Sequence, residues 1–148
     1  MSRGGAARGG CPCGSGDSYS RCCAPLHRGA ATAATAEQLM RSRYSAYAKG
    51  LEGYLIRTWA AGTRPDEVRL DHAIRWAGLE IREVCSGAAA DRTGTVEFAA
   101  AYEVDGRAAV LHEVSWFCRE GPDDTWCYVG EWHEGLDGGM DGAGHGQV

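Results

Sequence analysis

The sequence predicts an α+β fold in which helices precede a run of antiparallel strands, with a small cysteine-rich knuckle ahead of both. Three observations carry this. Four of the seven cysteines fall between residues 11 and 23. From Thr35 to about residue 60 the apolar residues recur at helical spacing, and from Ile74 onward the period changes to alternation. Helices followed by strands, instead of alternating with them, imply a curved sheet wrapped around the helices, which leaves a concave face.

The knuckle comes first. Its cysteines stand as Cys11-Pro-Cys13 and, eight residues later, Cys22-Cys23. Structural zinc sites draw four ligands tetrahedrally from such close pairs, with each thiolate at about 2.3 Å. The residues between the pairs are small and polar, and Gly14 and Gly16 accept the positive φ of a tight turn. A disulfide between Cys11 and Cys13 would close a very small ring, and one between Cys22 and Cys23 would be a strained vicinal bridge. Cross-pairing would need an oxidising compartment. After Met1 and Ser2 the first ten residues are Gly, Ala and Arg with no apolar stretch of a secretory signal, so the expected compartment is the cytoplasm. Four thiolates on zinc leave a charge of about −2 and no position for water, so the metal is expected to be structural. Arg21 and Arg28 lie near enough in sequence to offset that charge. Tyr19 and His27 would pack beside the site, and His27 is the alternative ligand.

Residues 1–10 are expected to be disordered, 11–28 form the knuckle and 29–34 a small-residue connector. The main domain spans residues 35–133. Thr35-Ala36-Glu37-Gln38 reads as a capping box opening a helix over residues 36–48. Met40, Tyr44, Tyr47 and Ala48 would form its buried stripe, with Glu37, Arg41 and Ser45 facing outward. Gly50 ends it. A second helix over residues 51–60 places Leu51, Tyr54, Leu55 and Trp59 inward. Thr63-Arg64-Pro65-Asp66-Glu67 then reads as a further helix start, with Pro65 in the first turn. Strands follow at residues 74–84, 93–102, 108–119 and 126–132, rich in Val, Ile and aromatics. Asp105-Gly106 and Gly121-Pro122-Asp123-Asp124 supply turns between them. From Glu134 onward six of fifteen residues are glycine and almost none is large and apolar, so residues 134–148 are expected to be a disordered tail.

Composition narrows the function. A chain of 148 residues suits one domain with a small appendage. The formal charge of −5 argues against a general nucleic-acid binder, since phosphate affinity needs clustered Lys and Arg. No apolar run approaches the length of a membrane span. No phosphate loop, dinucleotide fingerprint or Ser/His/Asp ordering is present, so no catalytic motif points to an enzyme. Cys85, Cys118 and Cys127 lack CxxC spacing and read as small buried hydrophobes.

The run Cys-Pro-Cys-Gly-Ser-Gly-Asp-Ser-Tyr-Ser-Arg-Cys-Cys at 11–23 closely resembles the SEC-C zinc motif first noted at the C-terminus of the SecA translocation ATPase. The remainder resembles the YchJ-like family, over Ala36-Glu37-Gln38-Leu39-Met40-Arg41-Ser42-Arg43-Tyr44-Ser45-Ala46-Tyr47, Arg75-Trp76-Ala77-Gly78-Leu79-Glu80-Ile81, Gly94-Thr95-Val96-Glu97-Phe98 and Leu111-His112-Glu113-Val114-Ser115-Trp116-Phe117. The resemblance implies a SEC-C knuckle fused to a cone-shaped domain similar to nuclear transport factor 2. It implies Cys11, Cys13, Cys22 and Cys23 as the ligands of one Zn2+, with Cys23 standing where SecA-type copies often have histidine. By analogy with SecA it also implies docking on a protein partner of the translation or export machinery. Domains of this shape often pair through their sheets, which makes a homodimer the expected assembly.

Two functions follow as expectations. The first is a cytoplasmic binding or adaptor module in which the knuckle docks a protein partner and the cone holds a second protein or a small-molecule ligand. The alternative is a small-molecule enzyme using the cone, with His112 or Glu97 as base. The polar residues expected to enter the cone are Arg43, Tyr44, Glu80, Glu97, Tyr102, His112, Glu113 and Ser115, with Trp59 and Trp76 as walls. Because His112 and Glu113 are neighbours on a strand, they point to opposite faces unless a bulge intervenes. Arg43 with Glu97 and Arg75 with Glu80 are the expected ion pairs.

Overall fold

A computed structural model describes residues 10–132. The expectations of disorder at the N-terminus and in the glycine-rich tail therefore fall outside the described residues, except at Gly10, which pairs with Ser18 in an antiparallel bridge. A 3-10 turn at Tyr19–Arg21 leads into a one-turn helix α1 (Ala24–His27), and the longer helices are α2 (Ala36–Lys49) and α3 (Glu52–Arg57). Four strands follow, β1 (Arg75–Ser86), β2 (Thr93–Val104), β3 (Arg107–Glu120) and β4 (Thr125–Glu131), in one antiparallel sheet of order β1-β2-β3-β4. This is the α+β architecture of helices on a curved antiparallel sheet.

The capping residues of α2 act nearly as their spacing predicts. Thr35 Oγ1 accepts from the Gln38 amide at 3.1 Å, while the Gln38 side chain accepts from the Ala34 amide at 2.6 Å, one residue ahead of the cap. Gly50 ends the helix in the left-handed conformation at φ 77°, which costs glycine little. The buried face differs from the expected stripe. Ser45 is fully buried and Ala48 is exposed. A two-layer domain would leave the Ser45 side to solvent, but here the knuckle packs on it, so α2 is covered on two sides.

The second helix stops three residues earlier than its apolar spacing implies. The chain after Thr58 turns to run beside the last strand, where Tyr128 donates to the Thr58 carbonyl and Ala60 donates to the Tyr128 carbonyl, both at 2.8 Å. Those two bonds satisfy backbone groups that a longer helix would have used internally. No helix starts at Pro65. Thr63 Oγ1 instead donates to Val129 O and the Arg64 guanidinium donates to Trp59 O, which bind the segment to its neighbours in irregular form.

Both predicted turns are present. Asp105 and Gly106 have φ of 55° and 77°, the pair of positive values that a two-residue hairpin turn needs. Register shifts in β1, between Trp76 and Gly78 and between Ile81 and Glu83, and between β3 and β4 at Trp116/Phe117, mark bulges that bend the sheet. The loop after β1 touches the start of α2. A Cβ on Gly87, whose φ is 79°, would meet the Ala36 Cβ at 2.8 Å, so both backbone and space require glycine there. The core is continuous from knuckle to sheet: Cys11, Cys13 and Cys23 share one buried cluster with Leu39, Met40, Tyr44, Val96, Phe98, Phe117 and Trp126.

Candidate functional site

The knuckle is built as the cysteine spacing predicts. Cys11 N donates to Asp17 O at 2.9 Å and Gly14 N donates to Cys11 O at 3.0 Å, closing the turn that brings the first pair of sulfurs back on the second. The sulfurs of Cys11, Cys13, Cys22 and Cys23 all lie within 4.8 Å of one another. The gaps are 3.6 Å from Cys13 to Cys22 and 3.8 Å from Cys22 to Cys23. Tetrahedral sites with ligand bonds of about 2.3 Å separate their sulfurs by distances of this order, so the four residues fit one metal ion. Cys11, Cys13 and Cys23 are buried and Cys22 is partly exposed.

The four thiols perturb one another's protonation. Hydrogen bonds from Cys13 and Cys23 push the Cys11 thiol toward thiolate, whereas burial holds Cys22 up at about 11 and the hydrogen bonds to Cys11 and Cys13, with burial, raise Cys23. The cluster therefore keeps protons that a metal would displace. Around it, Ser45 Oγ lies 3.4 Å from Cys11 Sγ and 3.3 Å from Cys23 Sγ, and Ser15 Oγ lies 3.1 Å from Cys22 Sγ. The guanidiniums that bind the knuckle backbone are those of Arg41, to Cys13 O at 2.9 Å, and Arg57, to His27 O at 2.7 Å. The expected Arg21 and Arg28 are both exposed. Tyr19 and His27 do pack beside the site. His27 is not a ligand, because Nε2 donates to Ser42 O at 2.8 Å and Nδ1 then accepts from the Tyr19 hydroxyl at 2.7 Å.

The cone divides the predicted pocket residues into two sets. Arg43, Tyr44, Trp76 and Ser115 line a small inner cavity of about 40 Å³, together with Glu113, Tyr47 and Tyr128. Trp76 and Tyr102 also line a larger recess of about 550 Å³ at the open end of the cone. Trp59 is buried behind Arg43, whose guanidinium lies 4.9 Å from the Trp59 ring centroid and 4.4 Å from that of Tyr128. Arg43 donates to Leu55 O at 2.8 Å and Thr58 Oγ1 at 2.7 Å, so it holds α3 in place and makes no ion pair with Glu97.

Glu80, Glu97 and His112 lie on the other face of the sheet. Glu97 and His112 meet at 2.6 Å, but on the exposed outer surface, and Glu80 pairs with Arg82 at 3.4 Å instead of Arg75. The expected base of a cone enzyme is thus outside the cone. Alternation sends Glu113 inward, where Oε2 accepts from Ser115 Oγ at 2.6 Å and Tyr128 Oη at 3.1 Å. Burial raises the Glu113 pKa above its ordinary value. Sequence reasoning missed Tyr128 and Tyr47 as cavity residues. The period of β4 and the i+4 relation of Tyr47 to Arg43 were the available signals. Of the remaining cysteines, Cys127 is buried, Cys118 half-buried and Cys85 exposed, so the buried reading fails for Cys85. Among the described residues no helix is long and apolar enough to cross a membrane.

Comparison with known proteins covers both parts. The family described as YchJ, middle NTF2-like domain, matches residues 35–131. A UPF0225 protein of Streptomyces coelicolor is 49% identical over 119 residues, covering 80% of this chain and 91% of the relative. A UPF0225 protein of Chromobacterium violaceum is 47% identical over 126 residues, covering 83% and 92%. The solution structure of a SEC-C motif containing protein from Rhodopseudomonas palustris superposes with a TM-score of 0.70 at 30% identity, covering 82% of this chain and 96% of that one. A SEC-C motif containing protein from Psychrobacter arcticus gives 0.66 at 27% identity, covering 80% and 78%.

Proposed function

The chain belongs to the YchJ-like UPF0225 family, and from that footing we propose that it is a zinc-stabilised cytoplasmic binding protein whose small-molecule ligand enters the mouth of the cone. The observation that carries the reading is the recess of about 550 Å³, a size in the usual range for small-molecule sites. Behind it the cavity shrinks to about 40 Å³, room for roughly one water, so the ligand rests in the mouth and does not reach Glu113. With His112 and Glu97 outside, the cone presents a binding surface in preference to a reaction centre.

Zinc suits the four cysteines by donor type and number, and a full shell of thiolates supplies cross-linking without catalysis. Thiolates held for a metal suit a reducing compartment. The test has two readouts. Native mass spectrometry should find one zinc per chain, lost in a Cys22→Ser/Cys23→Ser variant. A fragment screen by nuclear magnetic resonance should find compounds that shift the Trp76 indole resonance, and these should lose binding in Ala48→Trp, which fills the recess from an exposed helix position. Fragments that bind Ala48→Trp as well as wild type would overturn the assignment of the recess.

A further inference from the structure

We propose that the mouth of the cone takes an uncharged planar aromatic ring, held by contact with Trp76 and Tyr102 and by no ion pair. This rests on the reading of the recess as a ligand site and adds the class of compound that fills it. The walls select a ring. Trp76 stands directly across the β1–β2 ladder from Tyr102, with ring centroids 5.4 Å apart and planes at 50°, and Tyr47 of α2 has its ring 6.2 Å from that of Trp76. All three line the recess, with Leu70, Ile74 and Leu111. The register shift between Trp76 and Gly78 lies beside this wall, and Gly78 N donates to Tyr44 Oη at 2.9 Å, which ties the bulge to α2. The wall is thus braced before a ligand arrives, and less ordering cost falls on binding. A flat ring gains stacking or edge contact on such surfaces beyond the area that it buries, whereas a sugar-like ligand would lose its water contacts there without replacement.

The charged groups around the mouth are engaged within the protein. The Lys49 ammonium sits 4.2 Å from the ring centroid of Tyr19, a knuckle residue outside the lining of the recess. Arg69 Nε donates to Glu67 Oε2 at 2.7 Å. On the acidic side, Asp71 Oδ1 accepts from the Ala73 amide and Glu52 Oε2 from the Leu70 amide, both at 2.9 Å. Neither sign of charge is set out for an incoming ligand. An ion entering the recess would give up hydration and find no positioned counter-charge to replace it, and a neutral ring avoids that cost.

The inner cavity that shares Trp76 and Leu111 with the recess holds only about 40 Å³, so the ring lies across the mouth and goes no deeper. The experiment titrates 15N-labelled protein with four probes of one shape: 1-naphthalenemethanol, its decahydro analogue, 1-naphthoate and 1-naphthylmethylammonium. Because His72 also lines the recess, the titrations are run at about pH 8, above the ordinary range of imidazole titration. The aromatic alcohol should shift the Trp76 indole N–H, bind about tenfold tighter than either ion and keep its affinity as salt is raised. The decahydro alcohol has similar bulk and no π-face, and should bind roughly fivefold weaker than the aromatic one. Tyr102→Leu keeps an apolar wall on a partly exposed residue, and should remove most of that difference while the decahydro alcohol binds as before. The comparison of probes on wild type decides the question even where this variant does not fold. An ion that binds as tightly as the aromatic alcohol would overturn the uncharged class, and a decahydro alcohol as tight as the aromatic one would overturn the ring contact; either result leaves the recess as a ligand site. Absence of any Trp76 shift with all four probes would overturn the proposal, whereas the fragment screen on Ala48→Trp judges the recess separately.

Discussion

Ser45 is the residue through which the knuckle and the helix layer meet. Its hydroxyl lies between Cys11 and Cys23, fully buried, at 3.4 and 3.3 Å from the two sulfurs. It has one proton to donate, and a thiolate is the stronger acceptor. Ser45→Ala should leave the fold intact, cost about 1 to 2 kcal/mol and lower zinc affinity roughly 10- to 100-fold, as loss of an outer hydrogen bond to a metal ligand does. Competition with a chromogenic chelator measures it, and an unchanged affinity would reduce Ser45 to a space-filler. Glu113 supplies a pH effect of the opposite kind to a paired carboxylate. Burial raises its folded pKa above the ordinary value of 4.5, so the folded state binds more protons than the unfolded one in the window that begins near 4.5 and ends at the raised pKa. This contribution to stability is present below that window and falls as pH rises through it. Glu113→Gln keeps an oxygen for Ser115 and Tyr128 and removes the titration. Thermal melts should therefore show the wild type losing ground to Glu113→Gln as pH rises from 4 to 7, and a constant difference would refute the effect.

At the scale of elements, α2 has two working faces. Arg41, Ser42 and Ser45 address the knuckle, through Cys13 O, the His27 contact and the two sulfurs, while Arg43, Tyr44 and Tyr47 address the cavity. Tyr44 also accepts from the Gly78 amide at 2.9 Å, which joins the helix to β1 beside Trp76. Removal of the metal takes the cross-link from one face of a helix whose other face shapes the mouth. Chelation should therefore raise amide hydrogen exchange along α2 as well as in residues 11–28, and should weaken any ligand of the recess. Exchange confined to the knuckle would mean that it is an appendage, as its position ahead of a small-residue connector suggests. The sequence expectation that Ser45 faces solvent failed for the same reason that this coupling exists. Helical period identifies which residues share a face, but it takes no account of a second layer arriving from residues 11–28.

For the whole molecule, the parts legible in the sequence were those set by neighbours along the chain. The spacing of Cys11, Cys13, Cys22 and Cys23 marked the four residues that could hold a metal ion, because a two-pair site closes within thirteen residues. The caps of α2 and the Asp105-Gly106 turn were legible because they satisfy backbone groups a few residues away. The direction of β3 was not. Its outer face carries Val110, Val114 and Trp116 with His112, and its inner face carries Leu111 and Phe117 with Glu113 and Ser115, so hydrophobic alternation favours neither phase. Placement of His112 outside and Glu113 inside was decided by what packs against each face: Arg43 of α2 and Tyr128 of β4 give Glu113 partners that make its burial tolerable. The bulges in β1 and between β3 and β4 reset the alternation further, and no local residue pattern announces them. The residue pattern alone was enough to place helices ahead of four strands and to bring four cysteines together, since both rest on short-range geometry. Which face of the sheet closes the cone, and where its mouth lies, came from packing between layers, since burial is a property of the layers that meet and not of the strand alone.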